Sequence, residues 1–149
     1  MTSQSVNLNG FAALQARLEQ LSKVEATKAG QAASRAGMVA VRKRVIADAP
    51  SSDVPEGEVR NRTTKGGAKR TEPHHKIKNA VKIKKTKSLS TTEVQTTVFI
   101  DTYHASFVEF GSIHNAPDPF FRTAFEAAHQ DAMDAVAKTL NKQLIKKGA

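Results

Sequence analysis

The chain has no cysteine, no tryptophan and no long apolar run. Without cysteine there is no disulfide framework, no thiolate metal site and no cysteine nucleophile, which fits a reducing, intracellular setting. No stretch approaches about 18 consecutive apolar residues, so no membrane-spanning helix is expected. Residues 1–10 are polar and hold no apolar core, so no secretory signal is expected. Catalytic signatures are missing too. The segment Lys65-Gly66-Gly67-Ala68-Lys69 lacks the phosphate-loop pattern, and no nucleophile elbow occurs. His74 and His75 are adjacent and cannot both face one ion from a regular helix. His104, His114 and His129 show none of the usual metal-ligand spacings, so the histidines read as surface or loop residues. Neither catalysis nor a metal or cofactor is expected.

Acidic residues are scarce in one region. From Arg60 to Lys87 only Glu72 opposes Arg60, Arg62, Lys65, Lys69, Arg70, Lys76, Lys78, Lys82, Lys84, Lys85 and Lys87. The formal net charge is +9 over 149 residues, so the whole excess sits there and the remainder is close to neutral. Lys65, Lys69, Arg70, Lys76, Lys78, Lys82, Lys84, Lys85 and Lys87 are the candidate DNA- or partner-facing cations. Two readings stay open. The run meets DNA phosphates without regard to sequence and with strong salt dependence, or it is a solvated face or docks on an acidic neighbouring ring. No aromatic residue lies within it, so base stacking is unsupported.

What the chain does have is an aromatic cluster. Seven of its eight Phe and Tyr residues fall between Phe99 and Phe125. Burying one such ring is worth about 1.5–3 kcal/mol. The core, and the main contact surface, are therefore expected around this segment.

Periodicity gives an α+β order. Phe11, Leu14, Leu18 and Leu21, then Ala29, Ala32, Ala36, Val39 and Ile46, predict helix from about residue 10 to 47 after an Asn9 cap, stopped before Pro50. A straight helix of that size would be about 55 Å long, so it either breaks, near Gly30, or protrudes toward another subunit. Val6 and Leu8 suggest a short strand ahead of it. Residues 50–75 are rich in Pro, Gly, Ser and basic side chains and read as a long flexible loop or insertion in a single domain spanning 1–149. Order resumes at Ile77. Val81 and Ile83 alternate with Lys82 and Lys84 in a half-buried strand with a cationic outer face. Val94, Thr96, Val98 and Ile100 share one face of a second strand, and Ser88 to Thr91 forms the turn between them. Asp101 or Thr102 caps a short helix ended by a left-handed Gly111. Asp118–Pro119 starts the last helix, with Phe121, Ala124, Phe125, Ala128, Ala132, Val136, Leu140 and Leu144 on its apolar side. The expected fold is thus a small antiparallel sheet with a long, kinked N-terminal helix, a short helix and a C-terminal helix packed on it, plus the basic loop.

Glu109 falls in the last turn of the short helix, where the macrodipole disfavours an anion by about 0.3–1 kcal/mol. Arg122 is equally misplaced at the start of the next helix. An Arg–carboxylate fork between them would relieve both and fix the angle between the helices; the alternative is a solvated Glu109.

The string from Tyr103 through Phe107-Val108-Glu109-Phe110-Gly111-Ser112, with Pro117-Asp118-Pro119-Phe120-Phe121-Arg122 and an alanine-rich helix behind it, resembles a bacteriophage tail-component family. These are neck or tail-completion proteins of long-tailed phages. The Ala49–Pro50 helix end and the entry Ile77-Lys78-Asn79-Ala80-Val81 fit as well. Thr123, where such proteins often carry a second Pro, and the long Ser51–His75 segment depart from the pattern. The resemblance implies a non-enzymatic virion protein at the head–tail interface, assembled in the host bacterial cytoplasm. It implies a homo-oligomeric, hexameric ring with the tail terminator, the head-completion or stopper ring and the tail tube as neighbours, and no membrane; non-specific contact with channel DNA stays one of the two readings of the basic run. Tyr103, Phe107, Glu109, Phe110, Gly111, Pro119, Phe120, Phe121 and Arg122 are the expected structural elbow. A small basic protein that binds DNA without sequence preference is the alternative, resting on charge alone.

Overall fold

A computed structural model describes residues 9–86 and 93–147. The order is α1 (Asn9–Glu19), α2 (Lys23–Asp48), β1 (Val59–Thr63), β2 (Lys69–Pro73), α3 (Ile77–Ala80), β3 (Val81–Thr86), β4 (Gln95–Ile100), α4 (His104–Phe110) and α5 (Phe120–Lys146). The fold is α+β, with two separate antiparallel sheets of two strands each. The expected strand at Val6 and Leu8 and the turn at 88–91 lie outside the described residues.

The first helical stretch breaks, at residues 20–22 and not near Gly30. Ser22 explains the position. Its Oγ accepts the Glu25 N–H at 3.4 Å and donates to Glu25 Oε2 at 3.1 Å, so Ser22-x-x-Glu25 opens α2 as a capping pair. Gly30 is instead an interior helical residue that passes close to Val94 (3.5 Å from an added Cβ to Cγ2). Helix α2 ends at Asp48, before Pro50 as expected, with the Ala49 N–H still bonded to Val45 O.

The buried face of α2 is Ala29, Ala33, Gly37, Val41 and Val45. The expected stripe through Ala32, Ala36 and Val39 is rotated from it, and Val39 is exposed. Alanines on every side give little contrast from which to read the phase. Helix α5 runs antiparallel to α2. Ala29 and Ala33 meet Leu140 and Leu144 at one end, and Val41 and Val45 share the other with Ala124, Ala128 and Phe120. Halfway along, a Cβ on Gly37 would lie 2.7 Å from Val136 Cγ2 and 3.1 Å from Ala132 O. Glycine there lets the two backbones approach. Arg17 Nη1 donates to Asn141 Oδ1 at 3.1 Å and Lys147 Nζ meets Glu25 Oε1 at 3.1 Å, tying α1 and the α2 start to the end of α5.

The β3–β4 sheet lies chiefly on α2, joined by Ser34 Oγ to Thr96 Oγ1 (2.9 Å) and Arg42 Nε to Val81 O (2.9 Å). Its alternation is as read, with Val81 and Val98 buried and Lys82 and Lys84 exposed. The entry at Ile77–Ala80 is a helical turn that buries Ile77 and Ala80.

The aromatic-core expectation is overturned. Among the rings only Phe120 is fully buried, at 4% exposure. Phe125, read as a core residue, is exposed. Alanine, valine and leucine fill most of the α2–α5 seam, with Phe120 at one end.

Residues 59–73 correct another expectation. They form a hairpin in full register from Val59↔Pro73 to Thr63↔Lys69, where composition suggested a structureless loop. Gly67 takes φ +79° at the tip and donates to Thr64 O at 2.8 Å, and Thr64 donates to Ala68 O at 2.8 Å. Both faces of the ribbon are largely exposed.

Candidate functional site

The elbow between α4 and α5 is built by Glu109, in a way the sequence reading did not foresee. Its Oε2 accepts the Phe121 N–H at 2.8 Å and its Oε1 the Arg122 N–H at 3.1 Å. The carboxylate therefore leaves the unfavourable end of α4 for the favourable start of α5, where free N–H groups and the helix dipole both welcome an anion. The Arg122 backbone, and not its guanidinium, is the partner. Asp118 makes no side-chain cap; its N–H reaches Val108 O at 2.8 Å and its carbonyl accepts from Phe120 N at 2.8 Å.

Gly111 has φ 79° and ψ 173°, so it is positive-φ but extended, not the helical left-handed end expected. A Cβ there would sit 3.0 Å from Pro117 and 3.1 Å from Asn115 O. Glycine is required both for the backbone and for the space. Tyr103 precedes α4, and neither Asp101 nor Thr102 caps it. Asp101 Oδ2 is instead 2.6 Å from Lys82 Nζ, which holds its carboxyl below the usual range. Pro119 stands just before α5, and Phe121 is half-buried beside the core.

Around this elbow lies apolar surface. Tyr103, Phe107 and Phe110 fall at i, i+4 and i+7 along one side of α4, with Phe110 77% exposed. Tyr103 and Phe107 pack edge to face at 6.3 Å. Ile113, in the following turn, is 95% exposed. Such rings on a surface, beside an interior made of alanine, are the reverse of the usual partition.

The predicted cations do not gather in one place. Lys65, Lys69 and Arg70 lie on the ribbon, Lys76 and Lys78 at α3, and Lys82, Lys84 and Lys85 on β3. All are exposed except Lys76. Lys84 Nζ sits 4.9 Å over the Phe99 ring. Lys87 is outside the described residues.

A cleft of about 540 Å³ opens between the ribbon and the turn from β4 into α4. Arg60, Arg62 and His74 line one wall, and Asp101, Tyr103 and His104 the other. Arg62 Cζ stands 4.7 Å over the Tyr103 ring, and the His74 and His104 rings stack at 5.0 Å. Burial pushes the His104 pKa down, with help from His74, Arg60 and His75. The ribbon's base is fastened by Glu56, whose carboxylate accepts from Lys76 N (2.7 Å) and Asn79 Nδ2 (3.0 Å) and meets His75 Nδ1 (2.8 Å). The Lys76 bond and then His75 hold its pKa at about 2. The sequence reading passed over this group: His74 and His104 are far apart in the chain, and only the ribbon's fold-back joins them. Among the described residues no cluster of His, Asp and Glu is placed to hold a metal ion, and no helix is long and apolar enough to cross a membrane.

Residues 12–111 match a family model, HK97-gp10_like, described as "Bacteriophage HK97-gp10, putative tail-component". The match runs from α1 through Gly111, including the ribbon, and stops short of α5. No curated protein and no solved structure matches the chain.

Proposed function

The chain belongs to the HK97-gp10-like family of phage tail components, and from that premise we propose that it is a structural, non-enzymatic subunit of an oligomeric ring at the head–tail joint. The observation that carries this reading is the aromatic stripe of α4. Tyr103, Phe107 and Phe110 stand in the solvent on a helix whose angle is fixed by the Glu109 cap. Exposed rings beside polar surroundings mark association surfaces. A surface on one side of a subunit that meets a different surface on the next copy closes into a ring when the rotation allows. A hexamer, with the tail terminator, stopper ring and tail tube as neighbours, is the arrangement proposed.

Electron microscopy of the virion neck tests the whole reading. Density for this chain in a closed ring, with α4 covered by a neighbour, is the expected result. A neck without the chain, or a ring that leaves Phe107 and Phe110 in solvent, overturns it. In solution, sedimentation of the chain mixed with its tail partners should give ring-sized particles, and F107S/F110S should abolish them.

Contact with DNA is a second proposal, supported by the exposed lysines of the ribbon and β3. Affinity for duplex DNA should then fall steeply with salt and ignore sequence. A monomer that binds DNA and never assembles on tail proteins would favour a stand-alone DNA-binding protein.

A further inference from the structure

We propose that the cleft between the β1–β2 ribbon and the β4–α4 turn binds a phosphate group, supplied either by a nucleic-acid backbone or by a free phosphate. The inference stands on the cleft alone and does not need the ring.

The cleft gathers donors whose charge is left over. Arg62 faces Arg70 directly across the ribbon, and neither is in an ion pair among the described residues. Like charges opposed on paired strands are destabilising. Arg60 has only a loose partner, with Nε 3.7 Å from Glu58 Oε1. His74 and His104 stack on each other, and their Nε2 atoms have hydroxyl neighbours, Ser52 Oγ and Thr102 Oγ1, both at 3.4 Å. Among the described residues no carboxylate forms an ion pair with either ring. Two acids do line the cleft: Asp101 is taken by Lys82 at 2.6 Å, and Glu72, opposite Arg60 in the register, offsets part of the Arg60 charge, which leaves Arg62 as the cation without an ion-pair partner among the described residues.

An anion between the walls would offset the Arg62–Arg70 opposition and could accept from the imidazoles that line it. A phosphate fits better than a carboxylate because it offers three strong acceptor oxygens in different directions. Guanidinium groups from the ribbon and imidazoles from both walls approach from different sides. Arg62 is already oriented by stacking on Tyr103, so less freedom is lost on binding. Burial is the main cause of the lowered His104 pKa, and the cationic neighbours His74, Arg60 and His75 add to it; an anion in the cleft would relieve that second part.

The test follows the histidine ring resonances by NMR while inorganic phosphate replaces chloride at constant ionic strength. The signals of His74 and His104 should move and saturate, and those of exposed His114 and His129 should stay. R62Q and R60Q should each weaken the effect about tenfold, the loss of one charge-assisted bond. K65Q, at the ribbon tip, should not. A ring-to-ring contact between His74 and His104 that persists in the variants shows that the ribbon has not swung away; if R62Q loses it, R60Q carries the test. No movement, a common unsaturating drift of all the histidines, or wild-type binding in R60Q overturns the proposal. Random-sequence duplex DNA forms the second arm. If it moves the same two signals, the backbone is the source; if it leaves them still while phosphate moves them, a free phosphate is. DNA that moves them where inorganic phosphate does not also overturns the site.

Discussion

The α2–α5 seam and the α4 elbow handle apolar surface in opposite ways. Along the seam, Ala29, Ala33, Gly37, Ala124, Ala128 and Ala132 bring two long helices together with almost no side-chain volume. At the elbow, Tyr103, Phe107 and Phe110 are large and remain half or more exposed. Size alone does not send a residue inside. Small residues give the close approach that excludes water from a helix pair, and rings on a short surface helix then have nowhere to go within one subunit. The seam stabilises the subunit; the elbow presents it.

That contrast can be broken most severely at the seam. Leu144 is fully buried at the junction of α5 with α2. Leu144→Ala should cost about 2–5 kcal/mol in chemical denaturation. Gly37→Ala tests the close approach itself, because its methyl would collide with Val136 and the Ala132 carbonyl. Overpacking there should cost about 1–3 kcal/mol, against the helix-propensity gain that alanine brings elsewhere. A stabilised G37A would show that the seam is looser than described.

At the elbow, Glu109→Ala removes an anion and two hydrogen bonds from the start of α5. A loss of about 0.5–2 kcal/mol is expected, and Arg122→Ala should cost less, because only its backbone takes part. The reverse ranking would restore a guanidinium–carboxylate fork. Around the cleft the effect is smaller and depends on pH. The His104 pKa is lowered in the folded chain, so the folded state binds fewer protons than the unfolded one near and below about 6.5. Its stabilising contribution is complete above that value and falls away as pH drops through the window beneath it. Thermal melts between neutral and mildly acidic pH should show the decline, and His104→Gln should flatten it. Smallest of all, Phe110→Ser should change subunit stability by no more than about 0.5 kcal/mol. The proposed ring places its effect in assembly, so a large loss of stability would mean that the aromatic side chain packs inside the subunit.

Much of the fold was legible because it rests on local pattern. The β3 and β4 alternation, the stop before Pro50 and the last helix follow directly from residue spacing. The Ser22-x-x-Glu25 cap was also present in the sequence, but the continuous helical periodicity on both sides masked it. The ribbon was hidden by composition: its side chains are nearly all polar, and a hairpin that is exposed on both faces carries no hydrophobic alternation. Gly66-Gly67 between Thr-rich flanks was the signal available. The cleft was not legible at all, since His74 and His104 meet only through packing.

The sequence by itself determined the long helices, the β3 and β4 strands, where the positive charge lies and which family the chain resembles, because each depends on neighbours along the chain. Only the tertiary structure decided which side of an alanine-rich helix is buried, which backbone groups receive the Glu109 carboxylate, and that the α4 rings face outward. These depend on how closely distant segments approach, and side-chain volume and charge settle that only once every partner is in place.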